Sequence, residues 1–400
     1  MVALGVIGFI VALLVSVMLH EAGHFCTARW FGMKASRFFV GFGPTVWSFR
    51  RGETEYGVKA IPAGGFVKIE GMTPLEEVQP GDESRAFWKF PVGQRAVVLA
   101  AGSFMHFVLA LLLVYIVVLA VGVPEKDPAV VGTVTKCVAS GTAFDCTAAG
   151  ATPAPAAGVL KPGDRILAID GAPVSSWTNA VGIIQKSPDK QLVLTVRRHG
   201  QTVTVSLRPT LVTRPSATNP SQTQTVGAVG ITPGDAFRNV GPIAAVPQTG
   251  RDIGSMLTGT VNVLTHKIKT LSRVYSNDRD PEGFVGVIGI SHVSGDILAA
   301  QSQSVGLRIA EFLFLVAGVN LFVGIFNLFP LLPLDGGHLA IAGYEEARHR
   351  VRRSFGYRGP LRRVDLNKLM PITYAFVVLL AGLTIYIAGA DIVNPIRLTQ

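Results

Sequence analysis

His20-Glu21-Ala22-Gly23-His24 closes an apolar run, Val2 to Leu19, at the start of this 400-residue chain. At about 1.5 Å per residue the run is long enough to cross a bilayer as a helix. Two histidines four positions apart share one helix face, so their imidazoles can grip a single Zn²⁺. Glu21, on the adjoining turn, is placed to take a proton from a water held by that ion. The plainer reading is a pair of interfacial polar residues at a helix end. Against it, polar groups at membrane depth are costly and usually face a site or a cavity.

Composition supports the membrane setting. Apolar residues make up 49% of the chain and charged residues only 16%, with a mean hydropathy of +0.42. That balance describes an integral membrane protein with a soluble part. The formal charge of +10 does not call for nucleic acid, because the arginines lie beside apolar spans, where the positive-inside rule accounts for them. Val2 to Leu19 lacks a basic leading region and a small-residue cleavage site, so it reads as a retained span rather than a signal peptide.

Four spans are expected, at about 2–24, 97–122, 309–330 and 371–390, each near the length a bilayer core requires. Between spans three and four, Arg348 to Lys368 is densely basic; after span one come Arg29, Lys34, Arg37, Arg50 and Arg51. Both segments are therefore expected in the cytoplasm, and the long segment between spans two and three outside. Both chain ends then lie outside.

In this topology the ends of spans one and three face the same side. Span three ends in Asn327-Leu328-Phe329-Pro330-Leu331-Leu332-Pro333-Leu334-Asp335-Gly336-Gly337-His338. Asp335 is an acidic residue among apolar ones at the depth of the histidines. Two prolines end regular helix geometry and two glycines let the backbone turn tightly. Irregular backbone at membrane depth is tolerated where it is buried in protein or lines a cavity. Two His and one carboxylate, with a fourth position open, form a common catalytic zinc arrangement. Taken alone, Asp335 would equally well be a helix-terminating turn residue; His338 reads as support for the turn. Asn320 and Asn327, seven apart, project from one face of span three. A helix–helix hydrogen bond explains Asn320, and Asn327 is placed to hold substrate backbone or the active-site loop.

With these two motifs together the chain resembles the site-2 protease family of intramembrane zinc metalloproteases, in particular its bacterial RseP-like branch and the actinobacterial members of it. The resemblance covers nearly the whole chain. It implies that His20, His24 and Asp335 bind zinc and that Glu21 is the catalytic carboxylate. It places Asn327, Pro330, Pro333, Gly41 and Gly43 among the substrate contacts. The implied fold is a polytopic α-helical membrane protein with four transmembrane helices, a membrane-associated β-sheet and an extracytoplasmic PDZ domain. The implied activity is an endopeptidase of the bacterial plasma membrane, its active site towards the cytoplasmic side. It would act as a monomer within the lipid bilayer on single-span proteins such as anti-sigma factors already shortened by a first protease, the site-2 step of regulated intramembrane proteolysis.

The expected map follows. Residues 1–30 hold the first span and 31–96 a cytoplasmic-side β-hairpin region. The second span takes 97–123, the PDZ domain 124–233 and an amphipathic region 234–306. The third span with its motif occupies 307–338, a basic loop 339–370, and the fourth span with the tail 371–400. Within 31–96, short β-rich runs (Phe39 to Pro44, Thr45 to Phe49, Glu55 to Ile61, Phe66 to Ile69) alternate with Gly and Pro, a hairpin pattern. Such a sheet could offer its edge to an unwound substrate, whose freed amides need partners inside a membrane.

The PDZ likeness rests on Ala157 to Gly171, with glycine turns around an apolar strand, followed by paired strands at Leu192 to Val196 and Val203 to Leu207. Such a domain either filters substrates by size or binds a peptide as an added strand. Cys137 and Cys146 either pair or stay free, and Cys26 is not read as a ligand. Arg251 to Val274 is read as an amphipathic helix, on the membrane surface or packed under the PDZ domain. His106 is read as an interhelical contact at a place where the family often has Asn.

Overall fold

The computed structural model of the chain describes residues 2–72, 78–140, 146, 151–215, 223–280, 283–300, 304–359 and 363–396. The end of the C-terminal tail, 397–400, lies outside them, as do positions 360–362 of the basic segment. Among the described residues four helices are long and apolar enough to cross a membrane: Val2–Trp30, Val92–Val121, Val305–Asn327 and Leu366–Val393.

The first of these, helix α1 (Val2–Trp30), is apolar all round and not along one stripe. Its outward Leu4, Ile7, Ile10, Val11 and Val15 stay exposed, as expected of side chains that lipid solvates. It leads into two long strands, β1 (Ala35–Arg51) and β2 (Thr54–Ile69). The short runs expected from the sequence are segments of these strands, because β1 folds back at Gly41 and Gly43. Both glycines have φ near +85° (85° and 83°), and a Cβ at Gly41 would come within 2.5 Å of the Ile61 carbonyl oxygen. Arg37 to Val40 consequently lie between two partners, Lys68 to Gly65 on one side and Glu55 to Val58 on the other. The run Gly65 to Ile69 is thus left along an edge of the curled sheet.

Helix α2 (Val92–Val121) begins after Pro91, earlier than hydropathy alone places it, because its first turn is polar. Pro immediately before a helix is tolerated since the first amides have no intrahelical acceptor.

Residues Gly122–Val240 form a separate compact unit. Its main sheet has four antiparallel strands in the order Gln201–Leu207, Leu192–Arg198, Arg165–Ile169, Ala172–Pro173. One face packs Val131, Leu160, Ile166, Ile169, Leu194 and Val196 into a core. Over it lies helix α3 (Trp177–Gln185), whose start is capped by Ser176 Oγ accepting from Asn179 N at 3.1 Å. Cys137 and Cys146 are bonded as a disulfide, which decides between the two readings left open by the sequence.

Asp164 is buried in this unit, 1% exposed. It accepts from Arg198 at 2.8 and 2.6 Å and from the Lys161 amide at 2.8 Å. Burial alone would raise its pKa, but Arg198 and the Lys161 N–H hold the carboxyl below its ordinary value. A carboxyl depressed on folding adds stability above its unfolded pKa of about 4, and that stability is lost as pH falls through the lower folded value. Asp164→Ala should cost this unit about 2–3 kcal/mol at neutral pH, and less in acid. Thermal unfolding of wild type and variant across pH checks this; a pH-independent difference would contradict it.

The remaining chain is helical. Helix α4 (Pro242–His266) starts at a Gly241-Pro242 pair, ahead of the amphipathic stretch read from the sequence. It gives way to a tighter turn at Lys267–Arg273. Helix α5 (Val287–Ala299) was not foreseen. It packs on α1 so closely that Ser294 Oγ donates to the Gly5 carbonyl at 3.1 Å. Asp391 closes its start, accepting from Gly286 N at 2.9 Å, Gly289 N at 2.8 Å and Arg279 at 2.6 Å. Asp391 belongs to helix α8 (Met370–Val393), and between the two lie α6 (Val305–Asn327) and α7 (Asp335–Ser354).

Helix α7 takes the first half of the expected basic loop, 339–354. With Asp335 in its first turn and Arg352 and Arg353 in its last, its charges complement the helix dipole. Glu346 and Arg350 pair one turn apart at 2.8 Å. His106 and Asn320 make the expected interhelical contacts. The His106 ring meets Asn320 Oδ1 at 2.8 Å, and Asn320 Nδ2 donates to Ser16 Oγ at 3.1 Å, joining α1, α2 and α6.

Candidate metal centre

The last turns of α1 bring His20 and His24 onto one face, 8% and 4% exposed. From α7, Asp335 reaches the same point. Its Oδ2 stands 3.2 Å from His20 Nε2 and 3.3 Å from His24 Nε2, and the two nitrogens are 3.1 Å apart. Ligands at about 2.0–2.1 Å from one tetrahedral zinc stand roughly 3.3 Å from each other, so this donor set fits such an ion. No other group of three metal-ligating side chains gathers in this way among the described residues.

Tautomer and orientation are fixed by the backbone. His24 Nδ1 lies 2.7 Å from the Val98 carbonyl oxygen of α2. A carbonyl can only accept, so Nδ1 carries the proton and Nε2 presents its lone pair to the shared point. His20 Nδ1 is buried without a hydrogen-bond partner among the described residues.

Asp335 owes its position to the Phe329–Leu334 turn and to the two glycines after it. A Cβ on Gly336 would run into the backbone of Leu328 and Phe329, and one on Gly337 would stand 2.5 Å from the Leu331 carbonyl carbon. Only glycine lets the first turn of α7 press against the turn that precedes it.

Glu21 does not join the triad. Its Oε2 accepts a hydrogen bond from the Val67 amide at 2.8 Å, so the edge of β2 is tied to the carboxylate beside the donor set. Val67 was not legible as a site residue, because its contribution is a backbone N–H that no side-chain pattern announces. Gly102 was missed too. A Cβ there would collide with His24 Nε2 and lie 2.7 Å from His20 Nδ1. Its signal was the small-residue run Ala100-Ala101-Gly102-Ser103 in span two, which allows close helix approach.

The other expected residues fall around this centre. Asn327 is the final residue of α6. Pro330 lines an apolar cavity of about 320 Å³ with Leu331, Leu332, Ile341, Ile372 and Phe376, between the turn and α8. Pro333 follows Leu332 in the turn leading to Asp335. Gly41 and Gly43 lie at the fold of β1 against Ile61, whereas the contact to Glu21 comes from Val67.

Long apolar helices holding a His₂–Asp donor set, with a further carboxylate beside it that is outside that set, define a membrane metallopeptidase. Residues 8–358 match the family described as Peptidase family M50. The chain belongs to that family, the site-2 proteases, and is a zinc metalloprotease by class. It is 40% identical over 420 aligned positions to the zinc metalloprotease Rip1 of Mycobacterium tuberculosis (strain ATCC 25618 / H37Rv), with 99% of each chain covered. To Rip1 of Mycolicibacterium smegmatis it is 38% identical over 419 positions, with 100% of both covered. To the metalloprotease MmpA of Caulobacter vibrioides it is 29% identical over 388 positions, covering 87% and 90%.

Proposed function

We propose that His20, His24 and Asp335 hold the catalytic zinc and that Glu21 is the general acid–base of an endopeptidase cutting transmembrane segments. The convergence of three donors from α1 and α7 within hydrogen-bond distance of one point carries this reading. Zinc bound there would lower the pKa of a water towards about 7 and polarise the scissile carbonyl. Glu21 takes the proton of the attacking water on its carboxylate and passes it to the departing amine. Gly102 and the Val98 carbonyl keep the imidazoles aligned.

The substrate must be unwound before it is cut, because a helix shields its own amides. The edge run Gly65 to Ile69 offers backbone partners for the freed strand, and its Val67 amide already bridges to Glu21. Asn327 and Pro330 would meet the substrate from the opposite side, with Pro333, Gly41 and Gly43 shaping the surrounding backbone. Val67→Pro deletes the N–H that Glu21 accepts. At a sheet edge proline is tolerated. The variant should keep its zinc and lose about ten- to a hundredfold in cleavage, the scale expected for a displaced catalytic group. An unchanged rate would show that this hydrogen bond does not position Glu21.

The reading extends to topology and substrate. The basic segments support a zinc site towards the cytoplasm of a bacterial plasma membrane, with both termini outside. The four-stranded unit is read as an extracytoplasmic PDZ domain, on the strength of its Ala157 to Gly171 turns and strand pairing. The substrates are single-span proteins, anti-sigma factors first among them, and the enzyme acts as a monomer. The test is reconstitution with single-span anti-sigma factors, full-length and externally trimmed. Chelation should abolish cleavage of the trimmed form and added zinc restore it; cleavage persisting under chelator would refute the reading.

A further inference from the structure

The basic groups at the head of α2 and the tail of α7 have no part in the reaction proposed above. Lys89, Arg95, His349, Arg350, Arg353 and Arg363 line one open cavity of about 700 Å³. Glu346 is the carboxylate in that lining, and it already accepts from Arg350. The first turn of α2 also lines the cavity through Val92 and Gly93 and contains no acidic residue. The positive end of a 30-residue helix therefore opens on the same cavity as Lys89, Arg95, Arg350, Arg353 and Arg363.

Arg95 adds a nearly buried guanidinium to this lining. Its side chain is 9% exposed, and its Nε has no hydrogen-bond partner among the described residues. Glu345 reaches it only at 3.5 Å from Nη2, while the same carboxylate accepts the Val364 amide at 2.8 Å. The Nε is itself closed to any entering atom, so a phosphate oxygen in the cavity would meet Arg95 only at the ends of its guanidinium. Trp88 forms one wall, with Lys89 Nζ 4.7 Å and Arg363 Cζ 4.8 Å from its ring. Tryptophan and basic side chains at the head of an apolar span mark the headgroup level of a bilayer.

We propose that this cavity binds the phosphate group of an anionic phospholipid. Guanidinium forks match phosphate oxygens in pairs, and the helix N-terminus adds amide donors. The site stands at the start of a membrane-spanning helix, which makes a lipid its source of phosphate and not the bulk solution. Binding does not depend on the zinc assignment, but it would bear on it. Arg95 lies one turn before Val98, which orients His24, and α7 begins with Asp335. A phosphate between Lys89 and Arg353 relieves the repulsion of two like-charged rims and holds α2 to α7.

The test uses the full chain in phosphatidylcholine nanodiscs with and without phosphatidylglycerol. Phosphatidylglycerol retained after detergent extraction is counted by native mass spectrometry, and the thermal midpoint is recorded. Wild type should retain phosphatidylglycerol and gain thermal stability from it. Lys89→Gln with Arg353→Gln, both exposed positions, should reduce retention by about fivefold for each charge removed. Arg37→Gln, on the hairpin, should retain it as wild type does. Equal retention in the double variant, or equal loss in Arg37→Gln, would overturn the site. Inorganic phosphate in plain phosphatidylcholine discs should not reproduce the thermal gain; if it does, the lipid assignment is overturned.

Discussion

Replacing Glu21 by Gln should leave one zinc per chain and lower cleavage by about 10²–10⁴-fold, the contribution of a positioned acid–base group. The substitution conserves shape. Its amide oxygen can still accept from Val67 N–H, which stands 2.8 Å from the native carboxylate, so the edge of β2 stays in place. It cannot take up a proton at neutral pH. Because Glu21 lies outside the His20, His24 and Asp335 contacts, metal content should not change. Zinc per chain by elemental analysis, beside single-turnover cleavage in the same preparation, separates the two effects. A variant cleaving within tenfold of wild type would remove Glu21 from the chemistry; one that also loses zinc would assign it to the donor set.

What the sequence disclosed and what it hid divide along physical lines. The apolar runs were legible because burial in lipid needs side chains of one kind over a fixed length, and the four long helices match them. The donor set was legible because its residues are chemically distinctive and their spacing puts two of them on one helical face. Helix α5 was hidden: its 13 residues are too short for a span and give no clean amphipathic stripe. Helix α7 was hidden because a segment dense in arginine reads as a charged loop, although Glu346–Arg350 and the dipole-matched ends favour helix. At the centre, the missed parts are those that act without a functional group of their own. Val67 offers only its amide, Val98 only its carbonyl, and Gly102 only the absence of a side chain.

That absence makes Gly102 the most exacting position in the site. Its helix passes so close to the histidines that a first carbon would touch both rings, with His20 Nδ1 at 2.7 Å. Neither ring has room to yield. His24 is held by the Val98 carbonyl at 2.7 Å on the same helix, and both Nε2 atoms already converge on Asp335. Gly102→Val must therefore either rotate the imidazoles off their common point or push α2 away from α1, at an overpacking cost of about 1–3 kcal/mol. Either response spoils ligand geometry, and zinc affinity should fall by about a hundredfold or more, the upper range for disturbed ligand orientation. Cleavage should fall with it and recover in part at high zinc. Gly318→Ala, in α6 with open space around its Cβ, is the matched control and should keep zinc and activity. Circular dichroism distinguishes a displaced imidazole from a misfolded chain, since helix content should survive in both variants. A Gly102→Val enzyme with wild-type zinc affinity would show that α1 and α2 can separate without loss, and that the His24–Val98 contact does not hold the ligand in place.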